Sequence, residues 1–359
     1  MASAANKKTR ELYEKAAGRK RLWILLLFLA AMGIAFITLN AGASHLSVTK
    51  VVAALFGNGE TKDIMVVQNI RLPRLCAGLA AGTGLALAGC IMQNNLRNPL
   101  ASPSTLGISN AAAFGANVAI IVFHSGSVVN SGLGQVVINN PYIVTVMALC
   151  FALIAVALIL GLSIIRKFSP ESVILAGVAI SSLFAAGTMI IQYFAADSTQ
   201  VAAVIFWTFG DLGRASWQEI AIMSAVVAVS FLYFMVRRWD YNAIDGGEDV
   251  AKSLGVHTER VRLGGMFMAA LIAAVTVSFL GIIGFIGLVA PQITKRLIGT
   301  DKRYLIPASA LMGAIILLAS DTLARTIISP QVLPVGAVTS FLGAPLFLYL
   351  LMRKGGVKG

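Results

Sequence analysis

Four groups of residues in this chain have the types and spacing to do something chemical. Asp321 and Arg325 stand four apart inside an apolar run, which places them on one helix face where they can pair. Either they neutralise each other, or Arg325, near the end of its run, snorkels outward. Arg71 and Arg74 lie either side of Pro73 at the mouth of another apolar run, suited to lipid headgroups or to an acidic partner surface. A polar knot follows, Gln93-Asn94-Asn95-Leu96-Arg97-Asn98-Pro99. Its amides at Gln93, Asn94 and Asn98, with Pro99, can cap broken helices or line a route. The fourth group is the charged stretch from Trp239 to Arg262. His45, His124 and His257 are scattered, and Cys76, Cys90 and Cys150 sit in apolar segments without metal-type spacing. No phosphate loop is present, and no titratable pair converges as a catalytic dyad would. The expected chemistry is therefore non-covalent, with no catalytic residue, no metal ligand, no cofactor and no nucleotide hydrolysis in this chain.

The elements that position these groups are membrane helices. The chain has 359 residues, 58% of them hydrophobic and 12% charged, with mean hydropathy +0.84; a soluble domain carries about 25% charged residues. A span needs roughly 20 apolar residues, and the apolar runs give about ten. The formal net charge of +13 fits Lys and Arg retained in cytoplasmic segments. It does not suggest nucleic acid, since no basic face with interleaved aromatics accompanies it. Residues 1–21 form a basic tail carrying Lys7, Lys8, Arg10, Lys15, Arg19, Lys20 and Arg21. No small-residue cleavage site follows the first apolar run, so that run is read as a retained span with the N-terminus in the cytoplasm.

Spans are expected near residues 23–39, 71–93, 105–123, 142–165, 173–194 and 217–236. Two more fall within 263–298, followed by 305–328 and 335–352. Arg166-Lys167 and Arg353-Lys354 mark inner ends, and Ser169-Pro170-Glu171 reads as a helix start. Residues 40–69 and 195–216 read as outside loops, the second holding Asp197, Asp211 and Arg214 beside the interfacial aromatics Trp207 and Trp217. Residues 239–262 read as a cytoplasmic segment of two short helices broken at Gly255. Gly281, Gly284, Gly287 and Pro291 interrupt spans seven and eight. Gly89, Pro99 and Gly107 recur at a constant offset as Gly281, Pro291 and Gly299, a faint sign of the inverted repeats found in transporter folds.

The longer motifs carry a resemblance. RLPR at Arg71–Arg74, the pattern GxxLAxxGxxxQ ending at Gln93, RNPLASP at Arg97–Pro103 and LGIS at Leu106–Ser109 resemble the FecCD family. So do SLGV at Ser253–Val256, GFIGLVAP at Gly284–Pro291 and LPVGAVTSFLGAPLFLYLL at Leu333–Leu351. These are the permease subunits of ABC importers for ferric siderophores, haem and cobalamin. The resemblance covers about residues 70–353 and does not explain the long N-terminal tail.

It implies an all-α, ten-span type II importer fold with two inverted halves, residues 22–353, in the bacterial cell membrane. Both termini, including 354–359, would be cytoplasmic. It also implies a second permease, identical or paralogous, two ABC ATPases, an extracytoplasmic binding protein and a ferric siderophore as cargo. Carried over by position, Glu248, Lys252, Ser253, Leu254, Gly255, Val256 and Arg260 would couple to the ATPase. Arg71, Arg74 and Arg325 would dock the binding protein. Gln93, Asn94, Asn98, Pro99, Gly284 and Pro291 would lie on the path or at helix breaks. A secondary transporter driven by an ion gradient is the rival reading; it needs a buried acid, for which Asp321 is the candidate.

Overall fold

A computed structural model describes residues 2–42, 46–128, 136–138, 140–165, 170–195, 198–329 and 331–352, without the side chains of 2–13, 126–128, 136–138 and 351. His45, Arg166, Lys167, Ser169, Asp197, Arg353, Lys354 and the tail 354–359 lie outside the described residues. The chain is a bundle of helices: α1 Ala2–Asn40, α2 Val48–Leu55, α3 Thr61–Val66, α4 Leu72–Asn95, α5 Ile108–Asn117, α6 Pro141–Ile165, α7 Pro170–Tyr193 and α8 Ser198–Thr208. These are followed by α9 Trp217–Val236, α10 Arg238–Asp245, α11 Glu248–Ser253, α12 Thr258–Leu280, α13 Ile286–Ile298, α14 Lys302–Thr326 and α15 Val335–Met352. A small antiparallel hairpin, β1 Gly126–Val128 and β2 Val136–Ile138, precedes α6.

Among the described residues, seven helical stretches are long and apolar enough to cross a membrane, and Ile108–Val122 and Val335–Leu350 are shorter apolar helices. The stretch from Arg71 to Gly115 is the centre. Eighteen residues of α4 are buried, and it packs against α9, α12, α13 and α14. Small residues make this possible, because close backbone approach drives association where lipid removes the hydrophobic incentive. A Cβ on Gly82 would lie 2.6 Å from the Gly313 carbonyl, and one on Gly89 would collide with the Gly287 carbonyl.

Several boundaries differ from the sequence reading. The second span begins ten residues early, at Thr61 rather than near Arg71, because helix runs unbroken to Asn95. Pro73 lacks an N–H and its ring crowds the preceding turn; the wider π-helical turn Val67–Arg71 takes up that crowding without ending the helix. The 195–216 loop contains α8, and Trp207 is buried rather than interfacial. The segment folds back against the end of α12, with Asp211 N–H donating to the Leu280 carbonyl at 2.9 Å. Trp217 remains half exposed.

Spans seven and eight resolve into a full α12 and a short α13. Gly281 (φ 80) ends the first, and Gly287 and Pro291 lie inside the second. At 13 residues, α13 is about 20 Å long, too short for a hydrocarbon core of about 30 Å. The three offset pairs of Gly and Pro fall in unlike places. Gly89 is mid-helix and Gly281 at a helix end, while Pro99 lies in a loop and Pro291 within a helix. A better matched pair is the entry to the two short helices, each through a left-handed residue: Gly107 (φ 78) before α5 and Phe285 (φ 64) before α13.

Candidate functional site

At one end of the bundle, α10 and α11 form a bracket between α9 and α12. The break between them is at Gly246-Gly247, with Gly247 at φ 127, and not at Gly255. Gly255 (φ 80) instead closes α11. Its N–H donates to the Lys252 carbonyl and the Val256 N–H to the Ala251 carbonyl, both at 3.0 Å. That double bond with a left-handed glycine is a Schellman cap.

The α10 half of the bracket is clamped to the bundle. Asn242 donates to Asp301 at 3.0 Å and accepts from the Lys302 N–H at 2.8 Å; Lys302 Nζ reaches Asp245 at 3.1 Å. Burial alone would raise the Asp301 carboxyl, but hydrogen bonds from Arg303, Asn242 and the Arg303 N–H outweigh it and hold its pKa at about 2. On α11, Glu248 meets Lys252 at 3.1 Å and the buried Arg262 at 3.3 Å. The Lys252 hydrogen bond is the largest influence on Glu248 and lowers its pKa.

The other half of the bracket is open. Lys252, Gly255, Val256, His257, Thr258, Glu259 and Arg260 line a groove of about 420 Å³, beside the exposed Val250 and Leu254. Of the sequence-predicted coupling set, Lys252, Gly255, Val256 and Arg260 line this groove and Leu254 projects beside it. Glu248 turns inward to Arg262, and the Ser253 hydroxyl bonds back to the Val250 carbonyl at 2.8 Å.

The polar knot lies alongside. Pro291 has no N–H to offer the Gly287 carbonyl four residues earlier, so that acceptor is left open inside the bundle. Gln93 Nε2 fills it at 3.0 Å, and Gln292 Nε2 in turn donates to Gln93 Oε1 at 2.6 Å. Asn95 donates to the Arg262 carbonyl at 3.1 Å, and Asn98 Oδ1 accepts from the Leu100 N–H at 2.8 Å to build the turn around Pro99. Gln93, Asn94, Asn98, Pro99 and Pro291 come together around one cavity of about 380 Å³. Gly284 is elsewhere, in the break before α13 and close to Ser340.

At the opposite end the three arginines are not free. Arg74 reaches Asp321 at 2.8 Å and Asp211 at 3.0 Å, and Arg325 pairs with the same Asp321 at 3.0 Å. Arg71 is buried and donates to the Leu39 and Asn40 carbonyls at 3.0 Å; Arg325 donates to Ala41 and Thr38 at 2.9 and 3.1 Å. The last carbonyls of α1 need donors, and a helix C-terminus favours cations. The expectation of an outward-facing basic set is corrected accordingly: these guanidiniums are turned into the fold. The snorkelling alternative for Arg325 falls with it. Asp211 is the member that the sequence did not connect, since its link to Asp321 runs only through Arg74, 137 and 247 residues away from the two acids.

The pattern of the FecCD transport family matches residues 25–353. This chain belongs to the FecCD transport family. A protein of Methanocaldococcus jannaschii, provisionally named an ABC transporter permease, is 54% identical over 95% of this chain and 97% of its own length. The permease protein of the Fe(3+)-citrate import system of Bacillus subtilis is 35% identical over 93% of this chain and 95% of its own. The permease protein of the hemin transport system of Yersinia pestis is 33% identical over 92% of this chain and 94% of its own. A solved inward-facing conformation of a transporter described as metal-chelate ABC type superposes with TM-score 0.78 and 26% identity, over 93% of this chain and 99% of that one. The fold is thus the all-α, multi-pass permease fold of type II ABC importers. Within this FecCD permease, Arg71, Arg74 and Arg325 are spoken for internally, which the resemblance could not say.

Proposed function

We propose that this FecCD permease is the membrane subunit of an importer for an iron(III)–siderophore complex, moved by ATP hydrolysis on a separate ATPase. The observation that carries it is the bracket: α10 is bonded rigidly to the bundle while α11 presents an exposed apolar knob, Leu254, beside an open groove. A load applied at α11 passes through Glu248 and Arg262 into α12, while Asp245 and Lys302 tie the adjoining α10 to α14. This end is assigned to the cytoplasm, with both termini, and the α2–α3 end to the outside, where a binding protein would deliver cargo. The internal arginine cluster gives that outer face its shape. A second permease completes the path, which a bulky chelate needs wide and weakly binding. Iron would travel inside its chelator. The iron-chelate cargo is favoured by the Fe(3+)-citrate relative; haem and cobalamin are the alternatives within the family.

The ion-gradient reading loses its candidate. Asp321 is fully buried but holds two arginines, which neutralises it as a carrier. The test is uptake of radiolabelled ferric siderophore into proteoliposomes holding the assembled transporter. Gly255→Val is expected to leave ATP hydrolysis running without uptake, because Val resists positive φ and the cap of α11 is lost. Normal transport-linked hydrolysis in that variant would remove the coupling assignment. Gradient-driven uptake after ATPase inactivation would remove the ABC reading altogether.

A further inference from the structure

The cavity of about 380 Å³ beside the bracket has a lining unlike a passive void. Cys90, Pro291 and Leu305 form apolar parts of it, while Arg97, Lys295 and Lys302 supply three cations and Asp245 a single carboxylate. That carboxylate is already taken by Lys302. Lys295 has no ion-pair partner among the described residues. Arg97 spends one nitrogen on the Ile244 carbonyl at 3.1 Å and keeps its other donors. Asn94 is only 7% exposed, and neither its Nδ2 nor its Oδ1 has a hydrogen-bond partner. A buried amide left unmade costs about 1–3 kcal/mol. Arg97 also sits at φ 45, a left-handed conformation that costs a non-glycine residue about 1–2 kcal/mol and is typically kept at ligand sites.

We propose that this cavity binds a phosphate group. The excess of two positive charges favours an anion, and the exposed Arg97 and Lys295 can reach it from the open side of the cavity. A tetrahedral oxyanion offers acceptors in several directions, matching donors that converge from an ammonium, a guanidinium and an amide. Basic pockets between membrane helices at the cytoplasmic side also take lipid headgroups, so the phosphate has two possible sources, a free anion or an anionic lipid. Either would tie Gly246-Gly247, the break in the bracket, to α13 and to the loop after α4. The site stands whether or not α11 engages an ATPase.

The test uses the full-length chain, purified and delipidated in neutral detergent, without ATP or cargo. Inorganic phosphate is titrated by calorimetry. In parallel, native mass spectrometry reads retention of phosphatidylglycerol against phosphatidylcholine. Lys295→Gln probes an exposed side chain whose loss leaves the fold intact, and Lys62→Gln on α3 is the remote control. Saturable phosphate binding that weakens at least tenfold in Lys295→Gln, and not in Lys62→Gln, supports a free anion. No phosphate binding, but preferential phosphatidylglycerol retention lost in Lys295→Gln, supports the headgroup. Absence of both, or binding unchanged by Lys295→Gln, overturns the proposal.

Discussion

At the scale of single residues, Gln93 and Pro291 answer each other across two helices. Replacing Gln93 with Leu strands the Gly287 carbonyl, and thermal unfolding in detergent should show a loss of about 1–3 kcal/mol. The same change made together with Pro291→Ala should cost much less, because an alanine N–H can resume the helical bond. A double-mutant cycle with no interaction energy would show that Gln93 is not substituting for the proline. The Asp321 cluster gives a second residue-level prediction. Asp321→Asn leaves Arg74 with Asp211 alone and takes from Arg325 its paired carboxylate, so it should cost about 3–5 kcal/mol. Arg325→Met should cost less, since Arg74 still faces Asp321, and comparison of the two unfolding midpoints decides. Reversing Arg71 or Arg74 to Glu is expected to impair folding before it affects any docking, as both side chains are committed inside. The Asp321–Arg325 pair was legible from its spacing of four. Arg74 and Asp211 were not, because nothing local in the sequence announces a partner more than a hundred residues away.

At the scale of elements, two joints carry the argument. The first is the crossing of α4 with α13 and α14. Gly89→Ala forces a methyl into the Gly287 carbonyl and Gly313→Val meets the Gly82 carbonyl, so both should reduce the yield of folded protein. Gly161→Ala, with nothing within 4 Å of the added carbon, should not. Fluorescence-detected gel filtration of the three variants separates these outcomes. The second joint is the clamp between α10 and α14. Asp301 is held at about 2, below its unfolded value of about 3.9. The stability it contributes is therefore fully present above about pH 4 and is lost as pH falls toward 2. The Glu248 shift has the same sign. Hydrogen exchange in residues 238–262 should thus rise on acidification through this window before the long helices respond. Long apolar helices showed plainly in the sequence because each alone satisfies its length. The short ones did not: α8 and α13 depend on what they pack against, and the π-helical turn before Pro73 has no signature of its own.

At the scale of the whole molecule, the bundle is polarised. One end closes over its own arginines; the other displays a bracket, a groove and a basic cavity. Cysteine placed at Leu254 should be modified by a membrane-impermeant thiol reagent only from the cytoplasmic side, and one at Phe56 only from outside. The reverse pattern would overturn the orientation. That the two ends differ was readable from the charged stretch at residues 239–262. Which charges were available for work was not, because availability is set by packing.

One last consequence follows from α1. Its 39 residues form a single helix of about 58 Å, roughly twice the hydrocarbon thickness, and its far tip is gripped through four carbonyls by Arg71 and Arg325. Below that grip α1 packs along α14, with Leu27 buried in the core and Lys20 over the Tyr304 ring, so the two helices would tilt as one body. The basic stretch before Lys20 prolongs that body, so it would swing with α14 and serve as a natural pointer to the state of the gate.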